Sequence, residues 1–190
     1  MRLIANHTRC MGFRLRAGAA VFRRLARAQS GTAAIEFALV GSILVLLLLN
    51  MVDFSRMIWT QMEVENSAQV GAQAAYQTCA GGSMPATTNC PTLASVVTTA
   101  IQSSSLGAAV SLASGSPSET YYCTNGNTLQ SVGTYSSPPS PFNCSATGNA
   151  STSPGDYVAV NVRYNFAPIF AGLSLAPTQA LTGAAIMRLR

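Results

Sequence analysis

From Phe37 to Val52 the chain reads FALVGSILVLLLLNMV, sixteen residues without a charge. Extended back to Thr32 the run is 21 residues long and holds a single charge, Glu36. As a helix it spans about 31 Å, against a hydrocarbon core of ~30 Å. A helix from a soluble core would show polar residues at helical spacing. Between Phe37 and Val52 the only uncharged polar side chains are Ser42 and Asn50. The run therefore predicts a membrane-spanning helix over residues 32–52. A cleaved signal peptide has an apolar stretch of roughly 7–15 residues that ends at a small-residue cleavage site. This one ends in Asn50-Met51-Val52-Asp53-Phe54, which has no such site. Arg23-Arg24 resembles a twin-arginine signal, but its flanking residues do not fit one.

Charge gives the orientation. The 190 residues carry 11 basic side chains, all Arg, and six acids, for a formal charge of +5. Only 9% of the chain is charged, against roughly 25% in typical soluble proteins. Arg2, Arg9, Arg14, Arg16, Arg23, Arg24 and Arg27 all precede the apolar run, where there is no acid. Residues 31–190 hold four Arg against six acids, which leaves −2. A nucleic-acid binder needs its basic face on the folded part, so that class is excluded. The length suits one domain, or one domain plus a tail, and excludes a large multidomain enzyme. Seven arginines before the span and one, Arg56, just after it place the N-terminus in the cytoplasm and residues 53–190 across the membrane. Residues 1–31 then form a basic cytoplasmic leader. Leu15, Val21, Phe22 and Leu25 allow it to lie on an anionic membrane surface as an amphipathic helix, and a disordered leader is the equal alternative. Translation can start at Met1 or at Met11.

The junction of leader and span reads Ser30-Gly31-Thr32-Ala33-Ala34-Ile35-Glu36-Phe37. Gly, four residues, then Glu-Phe at such a junction resembles a type IV prepilin processing site. Continued through Ala38-Leu39-Val40, it resembles the TadE-like family, the pseudopilins of tight-adherence (Flp) pilus systems. The likeness extends through Asp53-Phe54-Ser55-Arg56, and returns weakly in Val158–Tyr164 and Ala184–Arg188. About 40 residues carry most of it. The resemblance implies a cut after Gly31 by an aspartic peptidase of the inner membrane, on its cytoplasmic side. Thr32 would then be the new N-terminus. The physical logic is independent of the family. Glycine leaves the backbone open to close approach. Glu36 lies one turn beyond the new amine, where a carboxylate gains from the helix dipole. It can pair with its own amine or with a neighbouring subunit's, cancelling two charges at the hydrocarbon edge. The plain structural alternative is an interfacial first-turn acid, with Ser30 or Thr32 capping the helix.

Past the span, residues 53–78 contain no Pro and one Gly, so the helix is expected to continue to about residue 78. Residues 53–79 are its extension, and Ala80-Gly81-Gly82 stops it. Asp53 and Arg56, three apart, are placed to pair. Ile58, Met62, Val70, Ala74 and Ala75 mark an apolar stripe. Trp59 suits an interfacial belt or a core anchor. Residues 80–190 form a head. A second helix is expected over Pro91–Ser105, with Gly107 as its cap. Short strands are expected at 108–114 and 119–124, and a long irregular loop at 125–156. Tyr157–Phe166 alternates Val158, Val160, Val162, Tyr164 and Phe166 on one face. Ala180–Leu189 is the last strand. The fold class is α+β, pilin-like: a long N-terminal helix packed on a small antiparallel sheet, with a second short helix.

Cys10 lies in the leader. Cys79, Cys90, Cys123 and Cys144 form an even set in a compartment where disulfides persist. Of three possible connectivities, Cys79–Cys90 and Cys123–Cys144 are favoured. Zinc would want short paired spacings, and the only histidine is His7, so no metal is expected. No usual general base follows the leader, and no nucleotide-binding or hydrolase motif is present. Glu119 and Asp156 could form a carboxylate pair only if the fold joined them. Neither catalysis, cofactor nor small-molecule substrate is expected.

The resemblance, with this topology, implies a minor pilin or pseudopilin. It would sit in the bacterial inner membrane with its head in the periplasm. Its partners would be the prepilin peptidase, other pseudopilins or pilin subunits, and the assembly platform. Phe37 and Glu36 would serve assembly. Small residues Ala33, Ala34, Ala38, Gly41 and Ser42 permit close helix packing in lipid. The alternatives are an uncleaved single-pass protein with a partner-binding head, and a secreted protein released by signal peptidase.

Overall fold

The computed structural model describes residues 30–190. Helix α1 begins at Ser30 and runs unbroken to Cys79, fifty residues. Its sequence holds no Pro, and the chain leaves it at Ala80-Gly81-Gly82. The chain divides into two compact units, residues 1–49 and 50–190. In the first, the described residues are the apolar part of α1, whose side chains are exposed almost throughout.

The second unit holds the rest of α1, two short helices and a sheet. Helix α2 is Ala86–Asn89 and helix α3 is Leu93–Ile101. Helix α3 is shorter than the expected Pro91–Ser105, and α2 was not expected. Leu93, Val97 and Ile101 recur at four-residue spacing and are the buried face of α3. Gly107 does not cap α3. Gln102 does, and Gly107 opens a separate 3-10 turn with φ +56°.

The strands are β1 (Ser111–Leu112), β2 (Ser118–Asn125), β3 (Thr128–Thr134), β4 (Gly155–Phe166) and β5 (Gln179–Arg188). All pairings are antiparallel. Strand β4 is central. It pairs β5 along one edge, while β2 and then β1 share the other, and β3 pairs β2. The segment 125–156 is not one irregular loop. It contributes β3 and a 3-10 turn at Ser145–Thr147. Strand β3 lacks a buried apolar face, and Leu129 in it is exposed, so no alternation marked it. The chain beyond β3 folds back on β2. The rings of Tyr135 and Phe142 pack on Tyr121, with centroids 4.8 Å and 5.1 Å away.

One core joins the elements. Val158, Val160, Val162 and Phe166 of β4 and Leu181 of β5 meet Val64, Ala68, Ala72 and Ala75 of α1 and the buried face of α3. The expected stripe on α1 is corrected in part here. Ala75 is buried in the core and Ala74 half-buried, but Ile58, Met62 and Val70 are exposed, and small side chains face the sheet. The reason is the closeness of the backbones. A Cβ added at Gly183 of β5 would lie 2.7 Å from the Val64 carbonyl oxygen. One added at Gly71 would lie 2.7 Å from Cγ2 of Ile101. Two disulfides complete the unit. Cys79–Cys90 ties the end of α1 to the turn after α2, and Cys123–Cys144 ties β2 to the segment beyond β3.

Overpacking a backbone contact cannot be relieved by rotating a side chain. Gly183→Ala should therefore destabilise the protein by roughly 1–3 kcal/mol. Gly81→Ala, with open space around it, should be nearly neutral. Denaturant unfolding of the full chain in mild detergent checks both.

Candidate assembly and processing site

The first turns of α1 carry Gly31, Thr32, Glu36 and Phe37, all exposed, with Phe37 at 81%. Thr32 and Glu36 are four apart and share a helix face. A Cβ added at Gly31 would meet nothing within 4 Å. Among the described residues, then, packing gives no reason for glycine at 31. Beyond Glu36 an uninterrupted apolar surface follows. Such a surface has no stable place in water, and α1 has the length and composition to cross a membrane.

A sequence model of the family described as TadE-like protein matches residues 31–73. Over that segment, the chain is similar to the TadE-like proteins. No curated protein and no solved structure matches the chain. The TadE-like segment opens on Gly31, takes in Glu36, Phe37 and the whole apolar run, and continues through Asp53-Phe54-Ser55-Arg56. It ends inside α1, before any strand of the sheet.

Asp53 closes the apolar run. It feels the Arg56 charge, but away from the surface. It is fully buried and accepts the backbone N–H groups of Ile169 at 3.0 Å and Phe170 at 3.3 Å. Arg56 lies over the Phe166 ring, 5.4 Å from its centroid. One turn before Asp53, Asn50 grips the same β4–β5 loop. Its Oδ1 accepts the Leu175 N–H at 2.6 Å, and its Nδ2 donates to the Leu173 carbonyl at 3.3 Å. Sequence reading passed over this clamp. Its signal was an Asn and an Asp closing an otherwise apolar run. Trp59 is exposed, which excludes it as a core anchor.

The sheet also joins the two acids whose meeting the sequence left open. Tyr121 stands opposite Asp156 and Glu119 opposite Val158, so Glu119 and Asp156 lie on one face, one step apart along β2 and β4. Both are buried. Glu119 caps the start of α2. It accepts the N–H groups of Ala86 at 3.0 Å and Thr87 at 2.9 Å, and the Thr87 hydroxyl at 3.1 Å. Asp156 accepts the Tyr135 hydroxyl at 3.1 Å. Its other oxygen is buried without a hydrogen-bond donor. Burial, then the hydrogen bond and charge of Glu119, push the Asp156 carboxyl up to about 7. Burial foremost, with Tyr121 and Asp156 beside it, also raises the Tyr135 phenol. Among the described residues no group of three or more His, Cys, Asp or Glu is placed to hold a metal ion, and Cys79, Cys90, Cys123 and Cys144 are all in disulfides.

The ordinary value for an aspartate is 3.8. At Asp156 the folded protein therefore binds more proton than the unfolded chain between about pH 4 and pH 7, and the stability this group contributes falls as pH rises through that window. Asp156→Asn keeps a donor toward Glu119 at every pH. It should melt a few degrees above the unaltered protein at pH 8, with the gap closing toward pH 5. Thermal melts of the full chain in detergent across that range check this.

Proposed function

We propose that this protein is a minor pilin or pseudopilin of a tight-adherence (Flp-type) pilus assembly system. It is made as a precursor and cut after Gly31 by a prepilin peptidase. The observation that carries the reading is the TadE-like match, which opens on Gly31 and spans the apolar helix. Three features support it. Glycine at 31 answers to no packing demand within the described chain, as expected where an external enzyme must approach the backbone. Seven arginines before the span support an N-terminus-in orientation, with Gly31 on the cytoplasmic side and residues 53–190 in the periplasm. Two disulfides in the head suit an oxidising compartment.

In this reading the subunit stays in the inner membrane, or enters the pilus, through α1. Glu36 cancels the Thr32 amine of its own chain or of a neighbour, and that pairing sets the register between helices. Its partners are other pseudopilins or pilin subunits and the assembly platform, met through the helix in lipid and the head in the periplasm. The role is structural, with no substrate to turn over.

Expressed with the cognate peptidase, the protein should begin at Thr32 by N-terminal sequencing, and without it at its initiator methionine. Gly31→Ala should abolish the shorter form. An intact initiator in both strains would instead favour an uncleaved single-pass protein. Glu36→Leu should leave the cut intact yet remove the subunit from complexes with the other pilus proteins, read by co-purification.

A further inference from the structure

The β4–β5 loop, residues 167–178, reads APIFAGLSLAPT and has no charged residue. A surface loop of this length is ordinarily polar. Here three of the four large side chains are exposed, and Phe170 is half-buried. Ile169 is 58% exposed, Leu173 56% and Leu175 80%. The loop is not loose. Asp53 holds it at Ile169 and Phe170, and Asn50 holds it at Leu173 and Leu175. Its remaining turns close on themselves. The N–H groups of Leu173 and Ser174 donate to the Phe170 carbonyl, and that of Ala176 to the Ser174 hydroxyl.

Asn50 and Asp53 mark the level of the loop along α1. They flank Val52, where the apolar run ends. A helix of 21 residues from Thr32 to Val52 matches the hydrocarbon thickness, so Val52 lies at the boundary between acyl chains and headgroups. A loop tied to residues 50 and 53 stands at that boundary too. Met51, Val52 and Phe54 of α1 are exposed at the same level. Entry into a bilayer demands that backbone polar groups be satisfied within the protein, and the clamp and the internal turns do this for much of the loop.

We propose that the β4–β5 loop is a second membrane contact, which inserts Ile169, Leu173 and Leu175 into the interface of the bilayer that α1 spans. The occupant of this apolar surface is lipid. The loop adds a second point of attachment and fixes how closely the head lies on the membrane. The proposal rests on the membrane-spanning reading of α1 and not on the pilus role.

The test uses tryptophan fluorescence, since Trp59 is the only tryptophan. In the full chain carrying Trp59→Phe, a single tryptophan is introduced by Leu175→Trp or, separately, Leu173→Trp. Each protein is reconstituted into phosphatidylethanolamine–phosphatidylglycerol vesicles with and without brominated acyl chains. Leu44→Trp within the span is the positive reference, and Leu129→Trp on β3 the negative one. Both loop variants should lose emission several-fold in brominated lipid, as Leu44→Trp does, while Leu129→Trp stays bright. If they stay bright and are quenched by aqueous acrylamide, the loop faces water and the proposal fails. If they are shielded from both quenchers, protein covers the loop and the proposal likewise fails. If Leu44→Trp also stays bright in brominated lipid, the span itself is wrong, an outcome distinct from failure of the loop alone.

Discussion

The backbones of α1 and β5 come together where Gly183 lies against the Val64 carbonyl. Much of the architecture of residues 50–190 depends on that closeness. Ala68, Gly71, Ala72 and Ala75 are the residues that fit on the inner face of α1, and Val97 and Ile101 of α3 fill the space beside Gly71. Strand β4 supplies bulk from the other side through Val158, Val160, Val162 and Phe166. Large side chains on the sheet and small ones on the helix interdigitate at interior density. The same side chains spread evenly over both surfaces would hold the backbones apart.

That arrangement explains what the sequence revealed and what it concealed. Strand β4 was legible because its valines alternate, and α1 because fifty residues run without Pro and end at paired glycines. Strand β3 was not, because it buries nothing large and pairs only with β2. The inner face of α1 was misread for a related reason. Hydropathy favours Ile58, Met62 and Val70 as core, but the core selects for size when backbones nearly touch. The large residues are the ones left outside.

The polar contacts show a second gap between pattern and structure. Asp53 and Arg56 stand at a spacing that suggests an ion pair. The Arg56 charge does act on Asp53, but the fold also directs the carboxylate to two backbone N–H groups of a loop more than a hundred residues away. Glu119 and Asp156 are 37 positions apart in the sequence, and only the β2–β4 register makes them neighbours. No spacing rule finds contacts set by strand register. The residues proposed to act at the start of α1 need no such register. Gly31, Thr32, Glu36 and Phe37 lie within two turns of one helix, so their relative geometry follows from the helix alone.

Two acids bound the apolar run, and their different surroundings bear on the proposed role. Asp53 is enclosed, and its charge is met by donors of its own chain. Glu36 is exposed on the helix. The next cation along the chain is Arg56, twenty residues and about 30 Å further on. The last one before it, Arg27, lies in the segment that the proposed cut removes. After the proposed cut the chain would carry four Arg against six acids, so the strong basic balance would leave with residues 1–31. What would remain at the start of α1 is one carboxylate and one newly made amine, four residues apart. A carboxylate in the hydrocarbon is stabilised by a partner of opposite charge. An amine that appears only on processing would make that partner available only when the subunit is ready to assemble.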